Sequence, residues 1–338
     1  MLWALSEGMW LERHWQRFTA VSALLWPLSL LFRAAVSVRR ACYRSGLFSR
    51  QRVSAPVVVV GNVTVGGTGK TPMTLWLTGV LERNGRRVGI VSRGYGGAIR
   101  TCRRVTPDDD PLTCGDEPVL LAQRSGCPVY VGRDRAAAAR ALLAAYPQCD
   151  VIVSDDGLQH YGLARDVELA VIDGERGLGN GCMLPAGPLR EPSSRLRCVD
   201  AVVVNGPGQT FNDLRNAFRM NLEGRSFHNL LNPDFIVHPD HFRNQRVHAI
   251  AAIGNPSRFF RHLHDLGITF EAHAFADHHA LTRADVAFAD ADAILMTEKD
   301  AVKCAAFASE NQWALRVDAV PDAALAALVL NKIRQSSA

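Results

Sequence analysis

Val57-Val58-Val59-Val60, running directly into Gly61-Asn62-Val63-Thr64-Val65-Gly66-Gly67-Thr68-Gly69-Lys70-Thr71-Pro72, is the stretch that decides the fold. An unbroken β-branched run offers water no polar face, so it reads as a strand buried on both sides of a parallel sheet. The glycines that follow let the backbone turn tightly and aim several N–H groups at one point. Pro72 suits the first turn of a helix, where its missing N–H would be unpaired anyway. Strand, glycine loop and helix together make a phosphate cradle. Gly66, Gly67, Thr68 and Gly69 wrap the anion, the helix start adds partial positive charge, Lys70 adds a full one, and the Thr71 hydroxyl reaches Mg²⁺. The usual spacing asks for glycine where Thr64 stands; Gly61 and the doubled Gly66-Gly67 can carry that flexibility instead.

Outward from the loop, apolar runs and helical stretches keep alternating. Met73 to Asn84 reads as a helix closed by Gly85, and Arg87 to Ser92 as the next strand. Val129 to Val131, Val151 to Ser154, Leu169 to Ile172 and Ala201 to Val204 follow as strands, with Arg133 to Ala145 a helix among them. The pattern predicts an α/β fold of the P-loop type, a mostly parallel sheet with helices on both faces. Around Phe227 to Val237 the residues Asn229, Asn232 and Pro233 break it, and 227–244 reads as a connection. A smaller α/β pattern then restarts, with strands at Val247 to Ala252, Phe270 to Phe275, Ala293 to Met296 and Ala314 to Val317. Ser257 to Leu266 and Ala323 to Lys332 are its helices. The expected division is therefore 1–50 an N-terminal membrane-associated segment, 51–226 the phosphate-loop domain, 227–244 the connection, and 245–338 a C-terminal α/β domain closing over the cleft.

The N-terminal segment has a different character. Phe18 to Phe32, FTAVSALLWPLSLLF, carries no charge and is flanked by Arg13, Arg17, Arg33, Arg39 and Arg40. As a helix it would be about 22 Å long, short of a hydrocarbon core of roughly 30 Å. No small-residue cleavage site clearly follows, which speaks against a signal peptide. A soluble helix packed on the domain is one reading. Trp3, Trp10, Trp15 and Trp26 favour the other, a membrane anchor, because indole rings settle in the headgroup zone. Spanning and lying in the interface both remain open.

Composition limits the partners. The chain has 338 residues, 48% hydrophobic and 21% charged, with a formal charge of +5. That fits a folded chain with a mild preference for anionic surfaces, and it lacks the tight basic stripe of a nucleic-acid binder. The eight cysteines are scattered without a CxxC pair, so a metal cluster or disulfide framework is not expected and a reducing compartment is.

A second acidic element sits where a nucleotide enzyme needs it. Val151-Ile152-Val153-Ser154 runs into Asp155-Asp156, carboxylates at the end of a buried strand, where they can hold Mg²⁺ directly or through water. Guanine-nucleotide proteins carry N/T-K-x-D; the nearest string here, Thr297-Glu298-Lys299-Asp300, has its lysine one place late. That string either approaches the nucleotide or caps a helix. Asp277, His278 and His279 do not read as a zinc site, since adjacent side chains on a strand point to opposite faces.

Several ordered strings together resemble one family. They are Gly61 to Pro72, Ser92-Arg93-Gly94-Tyr95-Gly96-Gly97, Gly115-Asp116-Glu117-Pro118, Asp155-Asp156-Gly157-Leu158-Gln159-His160, Leu184-Pro185-Ala186-Gly187-Pro188-Leu189-Arg190-Glu191-Pro192, Asp277-His278-His279 and Thr297 to Asp300. The chain resembles the tetraacyldisaccharide 4′-kinases, bacterial enzymes that add the 4′-phosphate to the lipid A precursor, and Thr64 agrees with that family. The resemblance implies a membrane-surface kinase at the cytoplasmic face of the bacterial inner membrane. ATP and Mg²⁺ would be its cofactors and a lipid-linked disaccharide its substrate, with no nucleic acid and no obligatory protein partner. It further implies that Glu191 joins Asp155 and Asp156 near the metal, and that Asp116 accepts the sugar hydroxyl's proton, poised by His278. Arg93 and Tyr95 would contact substrate or phosphate. His160, four residues after Asp156, would orient a carboxylate, contact substrate or simply pack. A P-loop switch or metallochaperone-type NTPase that binds a partner protein is the alternative. A soluble small-metabolite kinase is the third reading, disfavoured by the apolar N-terminus.

Overall fold

The computed structural model describes residues 13–94, 97, 101–208, 211, 214, 216–277 and 279–337. Tyr95 and His278 lie outside the described residues. The elements, in chain order, are α1 (Ala20–Arg44), β1 (Val57–Gly61), α2 (Lys70–Arg83), β2 (Val88–Ser92), β3 (Arg103–Val105), α3 (Asp116–Ser125), β4 (Val129–Val131), α4 (Arg135–Ala145), β5 (Val151–Asp155), β6 (Val167–Asp173) and β7 (Ala201–Asn205). There follow β8 (Ala217–Asn229), β9 (Ile236–Val237), β10 (Val247–Ala251), α5 (Pro256–Asp265), β11 (Glu271–Ala274), β12 (Ala293–Thr297), α6 (Glu298–Cys304), β13 (Gln312–Pro321) and α7 (Ala324–Ser337).

Among the described residues, 13 strands join in one sheet of order β11-β10-β12-β13-β8-β7-β6-β1-β5-β2-β4-β3, with β9 on β8. The pairings are parallel except β13 with β8, β3 with β4 and β8 with β9. This is the mostly parallel α/β sheet expected, and β1 explains its two faces. Val58 and Val60 pack with Met73, Leu77 and Leu81 of α2, while Val57 and Val59 pack with Ala138, Ala139 and Leu142 of α4. Alternate side chains of a strand point to opposite faces, so a strand with helices on both sides has no use for a polar residue.

Two elements differ from the expectation. Phe227 to Asn229, placed in the connection, are the end of β8, paired Phe227 with Leu315 and Asn229 with Trp313. The turn that Asn229 signals begins only after it: its Oδ1 accepts from the N–H groups of Leu231 and Asn232 at 3.0 and 3.1 Å. The closing helix α7 follows the last strand of the second half, yet its Leu325, Val329 and Ile333 pack into the cluster that holds Val58, Met73 and Leu77.

Helix α1 runs on past Phe32 to 25 residues, about 37 Å, capped by the Thr19 side chain, which accepts from Ser22 N. Its buried residues are Ser22 and Ser29. Ser29 Oγ donates to Met183 O at 2.7 Å and accepts from Ala186 N at 3.0 Å. Leu24, Trp26, Leu28 and Leu31 lie exposed. By length and apolarity the helix is able to cross a membrane.

Candidate functional site

The phosphate loop is built by β1 and α2. Gly66 at φ 95° and Gly69 at φ 93° take left-handed conformations that only glycine adopts readily. Helix α2 starts at Lys70 rather than Met73, with left-handed Gly69 as its cap, so the lysine itself opens the helix. Thr71 lies half-buried in the first turn. Thr64 bridges Leu189, Val65 N donates to Pro188 O at 2.9 Å, and Arg190 N donates to Val63 O at 2.7 Å, so the Leu184–Pro192 string walls the loop's entrance.

Across the loop stand the two carboxylates at the end of β5. Lys70 Nζ is 3.7 Å from Asp156 Oδ1, and Arg190 Nη1 is 3.2 Å from Asp156 Oδ2. Asp156 sits at φ 47°, and Arg135 donates to the carbonyls of both aspartates at 3.0 and 2.7 Å, fixing that turn. The neighbours differ sharply. Burial, then the charges of Glu117 and Asp156, push Asp155 up to about 7, against the pull of Lys70 and the Thr74 bond. Asp156 is held at about 2, because Lys70, Arg190 and Arg135 outweigh its burial. One Asp155 oxygen accepts from Thr74 Oγ1 at 2.9 Å; the other, Oδ2, is buried with no hydrogen-bond partner, as is Thr68 Oγ1. Unpaired buried oxygens beside a glycine cradle are what a Mg²⁺–nucleotide would satisfy. The residues therefore fit both groups.

Glu191 is buried, and its carboxylate accepts from Tyr161 Oη at 2.6 Å and Gln159 Nε2 at 3.1 Å, with Arg195 Nε 3.2 Å away. Gln159 also donates to Asn62 O at 2.9 Å, tying Glu191 to the loop's backbone. Arg93 lies exposed just beyond β2, close enough to Arg135 for their charges to oppose each other.

His160 stands apart from the carboxylates, in a hollow at the end of α1 lined by Tyr43, Phe48, Gln51 and Asp134. Burial, then the nearby Arg135, hold its imidazole down to about 4, so it is neutral at ordinary pH. Its Nε2 lies 3.9 Å from Asp134 Oδ1.

Asp116 opens α3 after Gly115 at φ 91° and is buried; its Oδ1 accepts from Glu117 N at 2.9 Å. Two lysines of α6, Lys299 and Lys303, each place Nζ 3.8 Å from Asp116 Oδ2. Thr297 to Asp300 is thus a helix cap with a further effect. Thr297 Oγ1 accepts from Asp300 N and donates to Asp300 Oδ2, and the turn aims Lys299 at the start of α3.

Asn205, at the end of β7, escaped the sequence reading. Its Nδ2 donates to Thr68 O at 2.9 Å, and its Oδ1 accepts from Arg258 Nη2 at 2.8 Å. A Cβ on Gly69 would come within 2.5 Å of Asn205 Nδ2. Arg176 donates to Gly254 O at 2.6 Å, and a Cβ on Gly254 would lie 2.8 Å from Gly67 N. The turn after β10 therefore rests on the phosphate loop. The available signal was the one that marked Asp155, a polar residue closing a buried apolar strand.

Elsewhere His248, Glu271 and His273 cluster. His248 Nδ1 and His273 Nε2 are 3.0 Å apart in rings inclined by 15° with centroids 5.2 Å apart. Near-coplanar rings meeting edge to edge share a hydrogen bond; their lone pairs do not converge on a common third point.

Residues 21–334 match the model of the family tetraacyldisaccharide-1-P 4′-kinase. The chain is 51% identical over 328 residues to a tetraacyldisaccharide 4′-kinase of Methylobacillus flagellatus, covering 97% of each chain. It is 48% identical over 316 residues to that of Pseudomonas aeruginosa, covering 93% of each. Its fold is similar to a crystal structure of LpxK from Aquifex aeolicus in complex with ATP, with TM-score 0.79 and 28% identity, covering 93% of this chain and 99% of that one. The chain belongs to the tetraacyldisaccharide-1-P 4′-kinase family.

Proposed function

We propose that this chain transfers the γ-phosphate of ATP to the 4′-hydroxyl of a tetraacyldisaccharide 1-phosphate, a step in making lipid A. The observation that carries the reading is the glycine loop with Lys70 facing Asp155 and Asp156, with Glu117, next to Asp116, close enough for its charge to raise Asp155. Gly66, Gly67, Thr68, Gly69 and Lys70 hold the phosphates. Thr71, Asp155 and Asp156 would hold Mg²⁺, with Glu191 acting on that corner through Gln159. Bound there, Mg²⁺ supplies neutralisation of charge on the phosphate oxygens. Asp116 takes the proton from the sugar hydroxyl as its oxygen bonds to phosphorus and the bond from phosphorus to the ADP oxygen breaks. Phosphoryl transfer is mainly positioning and charge neutralisation, so the base needs placement more than strength. Arg93 and Tyr95 meet substrate or phosphate, His160 meets the sugar lipid from the hollow near α1, and His278 poises Asp116.

The same reading sets the enzyme on the cytoplasmic face of the inner membrane, with α1 in the lipid. The phosphate-loop half, with α7 packed into it, and the second half reached along β8 act as two lobes that close over the cleft. Supporting the place of α1, its fully buried residues are Ser22 and Ser29, whereas Leu24, Leu28 and Leu31 face outward, unlike a helix bathed in water. The test is transfer of labelled γ-phosphate from ATP to tetraacyldisaccharide 1-phosphate in detergent micelles, with Lys70→Ala and Asp116→Asn alongside. Lipid labelling by wild type, abolished by the first change and crippled by the second, is expected. ATP hydrolysis without lipid labelling would sink the kinase reading in favour of an NTPase switch.

A further inference from the structure

In the contact between α3 and α6, two lysines from one half of the chain straddle a carboxylate from the other. Lys299 and Lys303 are one helical turn apart, so both side chains leave α6 on the same face. Lys299 Nζ reaches Glu117 Oε1 at 3.3 Å, Asp116 Oδ2 at 3.8 Å and Asp277 Oδ1 at 3.8 Å. Lys303 Nζ donates to Ala252 O at 3.0 Å and Asp300 Oδ1 at 2.9 Å, and lies 3.8 Å from Asp116 Oδ2. Both side chains are largely buried, at 17% and 8% exposure. Burial works against the Lys299 charge, but Glu117, Asp116 and Asp277 outweigh it and hold the ammonium above the usual lysine range.

Long lysine side chains lose much freedom when fixed, so two of them pinned in one cleft serve a purpose there. Their partners indicate which. Asp300 is fully buried and accepts from Ala252 N, so the start of α6 is locked to the end of β10. Two residues on, Gly254 rests on Gly67 of the phosphate loop. The lysines therefore set Asp116 at a defined offset from the loop that holds the phosphates. Lys299 also offsets the mutual repulsion of Asp116, Glu117 and Asp277, whose like charges would otherwise push these side chains apart.

We infer that Lys299 and Lys303 are positioning residues that hold Asp116 in register with the phosphate loop across the two halves of the chain. This rests on the reading of Asp116 as the base. Misplacing a reacting group by an ångström costs about 100-fold in rate. Lys299→Met is accordingly expected to lower kcat by roughly 10- to 100-fold with little change in KM for ATP, and Lys303→Met to lower it less. Lys299→Arg, which keeps the charge, should recover part of the loss.

The deciding experiment is a cycle in the micelle assay: Lys299→Met, Asp116→Asn and the double variant, with melting temperature followed in each. If Lys299 acts through Asp116, the double variant is no slower than Asp116→Asn within about 2-fold, because coupled residues do not add. Losses that multiply, or a Lys299→Met enzyme with wild-type kcat, overturn the inference. Should Lys299→Met fail to fold, the same cycle with Lys299→Arg decides between the two outcomes. A wild-type kcat for Asp116→Asn instead overturns the base reading itself, and that arm shows it separately.

Discussion

Helices α1 and α2 both carry many apolar residues and treat them differently. In α2, Met73, Leu77 and Leu81 are fully buried, as in any helix packed on a sheet in water. In α1 the fully buried residues are Ser22 and Ser29, beside half-buried Phe32 and Val36, while leucines stand out, Leu24 at 79% and Leu31 at 68% exposure. On the proposed reading, the rule that apolar groups leave water holds for both because α1 borders lipid. The lesson is that burial in a protein and burial in lipid are interchangeable, so an inward face can be polar when the outward one has a better solvent.

The two helices should accordingly fail in different ways. The largest expected effect lies at the start of α2. Lys70→Ala should lower kcat for lipid phosphorylation by about 1,000-fold, as removing a cation from a transferring phosphoryl group does. It should leave partition into anionic phospholipid vesicles unchanged. Leu24→Asp combined with Leu31→Asp should do the converse: about 100-fold weaker partition, measured by vesicle sedimentation, with ATP binding intact. Should the double variant still pellet with vesicles, α1 is a water-facing helix after all.

Stability sharpens the contrast. Leu77→Ala should cost about 2–5 kcal/mol through lost burial and a cavity, read from denaturant unfolding, whereas Leu24→Ala in lipid-free solution should cost under about 0.5 kcal/mol. Ser29→Ala, silent on a surface helix, should cost about 1–3 kcal/mol, because Ala186 N and Met183 O lose their partner. An unchanged unfolding midpoint for Ser29→Ala would dismiss the packed-serine account.

The smallest effect concerns pH. His160 and His228 are both held down to about 4, chiefly by burial, with arginines adding to it. In the unfolded chain such imidazoles take up a proton near pH 6.5. Between pH 6.5 and 4 the unfolded state therefore binds protons that the folded state refuses, so stability falls as pH falls. Asp155, raised to about 7, works in the opposite direction over much of the same range. The His160 share is the difference between wild type and His160→Gln, so melting temperatures of the two should diverge on acidification, the wild type losing more. Parallel curves would mean that His160 titrates normally.

What the sequence made legible was local. Strand, glycine loop and helix lie within residues 57–83, and Asp155 closes its own apolar strand, so spacing alone placed Lys70 and the carboxylates. Asn205 and the lysines of α6 gain their meaning from partners such as Thr68 and Asp116, remote in the chain. Tertiary folding alone brings those together. Phe227 to Asn229 misled because asparagine signals turns, whereas here Asn229 ends a strand whose partner, β13, lies far along the chain. The resemblance reached Asp116 and Glu191, which no local pattern singled out.

The path of the chain has one more consequence. It leaves the phosphate-loop half along β8, builds the second half, and returns along β13 to place α7 in the first core. The second half is thus an excursion spliced between two strands of a ribbon, with both of its ends anchored in its host. Trimming the C-terminus after Pro321 would spare the second half and strip Leu325, Val329 and Ile333 from beneath the nucleotide strand. A protease nick between β8 and β10 would leave two fragments still zipped along the ribbon. Ribosomal synthesis must therefore pass the whole second half and reach α7 before the first half can complete its core.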